Sequence, residues 1–229
     1  MKNLLRKEFL LSSNPQLIIF LFFGALVVIP SWPSMVAMIY VLGGFATIFP
    51  RALADQDIQY TAMLPIRKSD VVVGKGVYVV LLELASLLFS IPFALVKILA
   101  IDPALNKVAE ANSDYGNVTF TLATEPGLGA YGYVLLAFGI FNLILFPWYY
   151  KNPAKVNIPP LIALLGAGAT LGLGIGLGYM SFELTGASSA NWLFWLSESL
   201  TLALGLLAFV LLTIIALKKA CKNFDKIDL

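Results

Sequence analysis

Long apolar runs alternate with short polar intervals along this chain, and the alternation predicts its secondary structure. Each run holds between about 17 and 30 residues, the length that a helix needs to cross roughly 30 Å of hydrocarbon. The chain is therefore predicted to be an all-α, polytopic membrane protein with a single domain over residues 1–229. The six predicted spans are 16–32, 34–50, 71–100, 128–150, 161–182 and 192–217.

Composition supports the membrane class and narrows the chemistry. Of the 229 residues, 59% are hydrophobic and only 12% are charged, whereas a soluble domain carries about a quarter charged residues. The net charge of +2 is too small to indicate a nucleic-acid partner. Without histidine, and with Cys221 as the single cysteine, the chain has no serine–histidine triad, thiolate metal cluster or internal disulfide. We expect no metal site and no enzymatic activity.

The sequence also lacks a nucleotide-binding motif. Gly74 and Lys75 match the end of a phosphate-binding loop, but Ser69 stands where that loop needs its first glycine. Gly76 stands where the loop needs serine or threonine. If the chain takes part in ATP-driven work, the ATPase is therefore expected to be another polypeptide.

Lysine and arginine are distributed unevenly between the predicted loops, and this sets the expected topology. With the N-terminus in the cytoplasm, only Lys97 and Lys107 lie near or beyond the outer face. That asymmetry follows the positive-inside rule, so both termini are expected in the cytoplasm. The longest loop, 101–127, is then outside, and its alternating residues predict a small hairpin or an extended lid.

The N-terminal segment 1–13 has the pattern of an amphipathic helix. Leu4 and Phe9 fall on an apolar side, whereas Arg6 and Lys7 fall on a cationic one. Such a helix would lie in the interface of the anionic inner leaflet, in contact with membrane lipid. A simple basic anchor for the first span is the alternative, and the two roles are compatible.

The polar stretch Arg51–Lys75 separates the second and third predicted spans and holds close to a quarter of all the charged residues. Ala54, Ile58 and Ala62 recur at four-residue spacing, which predicts a short amphipathic helix. Pro65 is expected to end this helix, because a proline disfavours helical geometry at the residue before it.

The third predicted span begins shortly after that proline. Its apolar run starts at Val71, and Ser69 or Asp70 is expected to cap it. A short helix, a proline break and a recapped span would make a rigid cytoplasmic knob that could receive force from a soluble partner. An ordinary polar loop is the alternative interpretation.

Residues 64–75, with the sequence LPIRKSDVVVGK, resemble a signature of small ABC-2-type transporter permeases. These are the membrane subunits of ATP-binding-cassette exporters of the bacteriocin-immunity, antibiotic-resistance and phenol-soluble-modulin-export kind. Two positions depart from the family pattern, since Arg67 replaces the usual serine and Lys68 the usual arginine. The N-terminal MKNLLRKEF and the six-span layout match as well, so the resemblance covers most of the chain.

The resemblance implies a fold and a set of partners. Residues 1–13 would be an elbow helix, and the short helix between spans 2 and 3 would be a coupling helix that docks on a separate cytoplasmic ABC ATPase. That ATPase would hold ATP and Mg. The residues expected to couple to it are Arg51, Asp55, Asp57, Tyr60, Leu64, Pro65, Arg67, Lys68 and Asp70.

A second permease copy, or a related permease, would complete the assembly in the bacterial cytoplasmic membrane. The resemblance implies export of a hydrophobic or amphipathic substrate, such as a peptide toxin or antimicrobial. A membrane path with few charges agrees with such a substrate, because it could not easily offset the desolvation of a highly charged one.

Two glutamates fall within predicted spans, Glu83 near the middle of the third and Glu198 near the outer end of the sixth. A carboxylate inside the bilayer costs several kcal/mol unless it is neutralised, paired or facing water. Each is therefore a candidate substrate-path or proton-linked carboxylate, or a protonated or hydrogen-bonded glutamate that stabilises helix contacts. For Glu198 the stabilising role is favoured.

These observations leave two other functions open. An ion-coupled secondary transporter or channel could use Glu83, although no inverted repeat is visible in the sequence. A non-transporting membrane immunity or scaffold protein is the third hypothesis.

Glycines within two spans predict close helix packing. Gly43 and Gly44 lie in the second span and allow close approach or a bend. Gly168, Gly172 and Gly176 recur at four-residue spacing in the fifth. This second set predicts either tight packing inside one subunit or a seam between two copies.

Overall fold

The computed structural model describes residues 2–12, 14–30, 32–55, 57–62, 67–105, 126–152, 156–185 and 192–226. Over these ranges the chain is helical and contains no strand. The helices are α1 (Lys2–Leu11), α2 (Pro15–Phe22), α3 (Ser34–Ile39), α4 (Val41–Ala54), α5 (Asp57–Ala62), α6 (Lys68–Val96), α7 (Leu128–Tyr149), α8 (Ile158–Thr185) and α9 (Trp192–Phe224). Helix α2 continues as 3-10 turns over Phe23–Val28, and α6 continues as a π-helical turn over Lys97–Ile101.

Five helical segments of the described chain are long and apolar enough to cross a membrane. This agrees with the predicted class, an all-helical multi-pass membrane protein. The five segments are Ser34–Ala54, which joins α3 and α4, Lys68–Leu105, Leu128–Tyr149, Ile158–Leu177 and Trp192–Phe224.

The predicted first span, 16–32, differs most from the structure. The helical segment Pro15–Val28 is shorter than the roughly 17 residues that a span needs. It is long enough only together with Leu4–Leu11, and the two segments are bent by 87° relative to each other. The bend lies at Asn14, whose side chain accepts a hydrogen bond from the Leu17 N–H at 2.7 Å and so starts a new helix. The described chain therefore has five candidate spans, or six if this bent pair counts as one.

Helices α4 and α9 extend well beyond the predicted ends of their spans. Helix α4 passes through Pro50 to Ala54. A proline within a helix removes one backbone hydrogen bond, but Phe49 and Ala52 on either side of Pro50 stay buried in the core. Helix α9 runs past the predicted end at 217 to Phe224, because the buried Phe224 ring packs edge-on against Tyr150 at 5.2 Å.

The start of α6 also differs from its prediction. The helix begins at Lys68, and Arg67 takes the capping position with extended backbone and no side-chain hydrogen bond. Neither Ser69 nor Asp70 is the cap, because both already lie in the first helical turn. There the Asp70 N–H donates to the Arg67 carbonyl at 2.9 Å, and the Asp70 carboxylate lies near the positive end of the helix dipole.

Helix α7 lies at the centre of the bundle and packs along both α8 and α9. Val134, Phe138 and Phe141 on this helix are fully buried. Gly132 and Gly205 bring α7 and α9 into backbone contact, because a Cβ on Gly205 would overlap the Gly132 carbonyl. The contact between these two helices therefore depends on two glycines that the sequence analysis did not single out.

The glycines that were singled out have different surroundings. Gly44 lies against α2, where a Cβ would meet Leu17 Cδ1 at 2.8 Å, so the predicted close approach is confirmed. On α8, Cβ atoms on Gly168, Gly172 and Gly176 would meet no described atom within 4 Å. The prediction that these three glycines pack tightly inside one subunit is therefore wrong, as far as the described residues go. Of the predicted hairpin or lid at 101–127, residues 106–125 lie outside that part.

Candidate functional site

The short helix predicted after the second span exists as α5, over Asp57–Ala62. Ala54 does not belong to it but ends α4, where the Asp55 N–H donates to the Arg51 carbonyl at 2.9 Å. The expected stop at Pro65 lies outside the described residues, as does Leu64.

Four charged side chains from three helices meet beside α5. Lys7 and Glu8 belong to α1, Asp57 to α5 and Lys75 to α6. The Lys75 Nζ lies 3.2 Å from Asp57 Oδ2 and 3.5 Å from Glu8 Oε2. The Lys7 Nζ contacts Asp57 Oδ1 and lies 3.6 Å from Glu8 Oε1. Each ammonium bridges both carboxylates, and we call these four residues the ionic cluster.

Two hydroxyl groups support the ionic cluster. The Ser12 Oγ donates to Glu8 Oε2 at 2.8 Å, and the Lys7 Nζ donates to Thr61 Oγ1 at 2.5 Å. The Thr61 hydroxyl in turn donates to the Asp57 carbonyl at 2.6 Å, one turn earlier in α5. Hydroxyl groups on α1 and α5 thus orient the Glu8 carboxylate and the Lys7 ammonium.

The ionic cluster is largely buried and electrically balanced, and the side chains of Lys7 and Asp57 stay 22% and 15% exposed. Glu8 is 1% exposed and Lys75 is 2% exposed, and two positive charges face two negative ones. Charges removed from water repay their desolvation only when geometry and pairing are good, and the loss of one partner leaves an uncompensated buried charge. The cluster therefore holds α1, α5 and α6 together as a set.

The acidity of Asp57 reflects its neighbours. Burial alone would raise the pKa of this carboxyl. The ammonium groups of Lys75 and Lys7 outweigh that effect and hold the pKa below its ordinary value of 3.8. Asp57 is therefore ionised at neutral pH, as the geometry of the ionic cluster requires.

An open cleft of about 540 Å³ lies beside the ionic cluster, between α1, α4 and α5. Two members of the cluster, Lys7 and Asp57, form part of its lining. Its other lining residues are Leu11, Ser12, Ile48, Arg51, Ala52, Asp55, Tyr60 and Thr61.

The residues expected to couple to an ATPase are divided by the structure. Asp57 is partly buried, pairs with both ammonium groups of the ionic cluster and also lines the cleft. Arg51 and Asp55 form an ion pair at 3.6 Å whose side chains are 54% and 63% exposed, and Tyr60 is 65% exposed. At the start of α6, Arg67 is exposed, whereas Lys68 and Asp70 are half-buried.

Glu83 lies inside the bundle with no exposed surface. Its Oε2 accepts a hydrogen bond from Nδ2 of Asn142 on α7 at 3.0 Å. The same Nδ2 donates to Thr213 Oγ1 on α9 at 3.3 Å. We call Glu83, Asn142 and Thr213 the buried triad. It connects α6, α7 and α9, whereas a place for Glu83 on a substrate path stays a prediction.

Glu198 has a different environment. Its Oε2 accepts a hydrogen bond from the Gly129 N–H at 2.6 Å, in the first turn of α7. A carboxylate is favourable there, because the N-terminus of a helix carries unpaired N–H groups and the positive end of its dipole. Glu198 therefore makes a helix-stabilising contact, the role favoured from the sequence. Its place on a substrate path stays a prediction.

Sequence reasoning missed most of the ionic cluster. Lys7 was assigned to a cationic side of the N-terminal helix, and Lys75 was noted only as the end of an incomplete phosphate-binding loop and of the polar stretch. The structure pairs both ammonium groups with carboxylates, with Lys75 buried and Lys7 partly exposed, and neither pairing was predicted. One signal was available, since Glu8 is the single acidic residue before Asp55. Asn142, a lone amide within a long apolar run, was a second such signal.

No group of three or more histidine, cysteine, aspartate or glutamate side chains among the described residues could hold a metal ion. Comparison of the chain with protein-family models, with curated proteins and with solved structures finds no match. Functional conclusions therefore rest on the ionic cluster, the cleft and the buried triad.

Proposed function

We propose that the chain is the permease subunit of an ATP-binding-cassette exporter of the ABC-2 type. In this proposal α1 is the elbow helix, and the segment Pro15–Val28, although shorter than a usual span, is the first of six spans. Helix α5 is the coupling helix, and it receives force from a separate cytoplasmic ATPase that holds ATP and Mg.

The observation that carries the proposal is the ionic cluster. A coupling helix must be attached firmly to the spans that it moves, and α5 is attached to α6 through Asp57 and Lys75 at 3.2 Å. The same carboxylate contacts Lys7 of α1. A push on α5 would therefore move α1 and α6 with it, because the largely buried ion pairs between the three helices cost free energy to separate.

A partner also needs an exposed surface to grip. Arg51, Asp55, Tyr60 and Arg67 are exposed around α5. The first three also line the cleft of about 540 Å³. An ATPase could contact the charged groups and the aromatic ring of these side chains, whereas the Asp57 carboxylate pairs with Lys7 and Lys75. The division between exposed and buried residues is the one that a coupling element requires.

The remaining parts of the proposal follow from the resemblance and from the apolar surface of the helices. A second copy of the chain, or a related permease, would form the path, and the exposed glycines of α8 give backbones room to approach closely. The substrate would be hydrophobic or amphipathic, and the assembly would lie in a bacterial cytoplasmic membrane with both termini inside.

Co-purification with an ATPase encoded beside this chain tests the proposal. The wild type is expected to form a complex whose ATP hydrolysis in nanodiscs depends on the permease. The double variant Tyr60→Ala with Arg67→Ala is expected to fold but to lose that complex. Trp192→Ala is the matched control, because Trp192 is also exposed, at 69%, but begins α9. Wild-type binding by the double variant, or no complex with any such ATPase, would overturn the proposal.

Glu83 supports a second candidate, an ion-coupled transporter. The observation in its favour is a fully buried carboxyl group with one unpaired oxygen. This candidate predicts substrate flux driven by a proton gradient without ATP, in vesicles that contain only this chain. Glu83→Gln would abolish such flux, whereas ATPase-dependent transport would not require an ionisable group at that position.

A further inference from the structure

Two buried oxygen atoms of the buried triad lack a hydrogen-bond donor. Glu83 and Asn142 each use one atom of the head group in the bond between Nδ2 and Oε2. The other atoms, Oε1 of Glu83 and Oδ1 of Asn142, have no partner among the described residues. Buried polar atoms in folded proteins nearly always have a hydrogen-bond partner. Two unpaired acceptors on side chains that are hydrogen-bonded to each other therefore need an explanation.

A single proton explains both atoms. An ionised carboxylate and an amide oxygen only accept hydrogen bonds, but a protonated carboxyl group also donates one. A carboxylic acid and a primary amide can therefore pair through two hydrogen bonds, N–H to the acid and O–H to the amide oxygen. The bond from Asn142 Nδ2 to Glu83 Oε2 is the first of these. The second amide hydrogen remains for Thr213 Oγ1 at 3.3 Å.

We propose that Glu83 is a buried proton-binding site, in which Oε1 carries a proton at neutral pH and donates it to Oδ1 of Asn142. This assignment pairs every head-group atom of the two side chains. It also removes an isolated negative charge from an apolar interior, where such a charge is costly.

Within the described residues, no other charged side chain of α6, α7 or α9 lies at the level of Glu83 to hold it ionised. On its own helix the nearest basic residue is Lys75, two turns earlier, and that ammonium is bound to Asp57 and Glu8. Helix α7 has no lysine, arginine, aspartate or glutamate. Helix α9 has none between Glu198 and Lys218. The protonated Glu83 would therefore join α6 to α7 through Asn142, and this role does not depend on the identity of any substrate.

Infrared difference spectroscopy of the full chain in nanodiscs tests the proposal directly. Subtraction of Glu83→Gln from wild type at neutral pH is expected to show the loss of one protonated-carboxyl C=O band. Glutamine keeps both hydrogen bonds, because its amide can donate to Oδ1 and accept from Nδ2, so this variant should fold. Glu198→Gln is the control and should leave the band in place, because Glu198 accepts a backbone N–H at the start of α7.

Asn142→Ala tests the partner of the proton. The band is expected to persist but to move to higher frequency, because the acid has lost its amide partner. If Glu83→Gln fails to fold, wild type labelled with ¹³C-glutamate can be compared with Asn142→Ala by the same readout. Three outcomes would overturn the proposal. Glu83→Gln could lose carboxylate bands instead of an acid band, the labelled wild type could show no protonated glutamate, or the band could stay unmoved in Asn142→Ala.

Discussion

Lys75 is the residue on which the ionic cluster depends most, because its ammonium touches carboxylates from two other helices. Lys75→Met keeps the length of the side chain but leaves Glu8 and Asp57 with fewer cations. We expect it to lower the free energy of unfolding by about 3–5 kcal/mol. The double variant with Asp57→Asn should cost less than the sum of the two single changes, because it removes one charge of each sign.

Denaturant titration in mixed micelles would measure these free energies. Arg51→Ala is the control, because the exposed pair of Arg51 and Asp55 should be worth at most about 0.5 kcal/mol. Equal costs for Lys75→Met and Arg51→Ala would mean that the ionic cluster does not stabilise the fold.

The depressed pKa of Asp57 gives a second prediction at the scale of one residue. A group whose pKa is lower in the folded protein stabilises the fold above its unfolded pKa, which is about 3.9. That stabilisation is lost as pH falls through the folded value, which lies below 3.8. The stability difference between wild type and Asp57→Asn should therefore stay constant from neutral pH to about pH 5 and shrink below about pH 4. Shrinkage at higher pH would show that Lys7 and Lys75 do not lower the pKa.

At the scale of elements, the crossing of α7 and α9 sets a strict limit on side-chain size. A Cβ on Gly205 would overlap the Gly132 carbonyl, which is backbone and cannot move aside by itself. Gly205→Ala should therefore force the two helices apart, at a cost of about 1–3 kcal/mol. Gly168→Ala is the control, since its Cβ would meet no described atom within 4 Å. Thermal unfolding in detergent would compare them, and equal midpoints would contradict the tight crossing.

The existence of the helices could be predicted from the sequence, but some of their ends could not. Long apolar runs are sufficient to predict α7 and α9, because length and hydropathy alone decide whether a helix can span a membrane. The end of α9 depends on the contact between Phe224 and Tyr150, which is tertiary. The second span was predicted to end at residue 50, but α4 continues to Ala54. Burial of Phe49 and Ala52 outweighs the one backbone hydrogen bond that Pro50 removes.

The ionic cluster could not be predicted for a related reason. Lys7 and Lys75 are far apart in sequence, and each has a plausible role at a membrane interface when it is read alone. Only the bend at Asn14 places α1 across the start of α6, where those charges meet. The resemblance identified the stretch around α5 as important, but the buried partners come from the fold.

At the scale of the whole molecule, most of the basic residues of the described chain gather at one end of the bundle, and Lys97, at the end of α6, is an exception. The Asn223 Nδ2 donates to the Pro147 carbonyl at 2.8 Å, which places the end of α9 beside the end of α7. Cys221 Sγ lies 3.9 Å from the Ser69 carbonyl, which adds the start of α6 to the same end. The helix ends and adjoining turns gathered there carry Arg51, Arg67, Lys68, Lys151, Lys218, Lys219 and Lys222.

This polarity predicts the orientation in the membrane. The positive-inside rule places the basic end in the cytoplasm, and the opposite end, with Trp192 and Glu198, at the outer face. In a Cys221→Ser background, a cysteine at Trp192 should react with a membrane-impermeant maleimide on intact cells. A cysteine at Arg67 should react only after permeabilisation, although both parent side chains are exposed. The reverse pattern would place α5 outside, beyond the reach of any cytoplasmic ATPase, and would exclude the proposed coupling role.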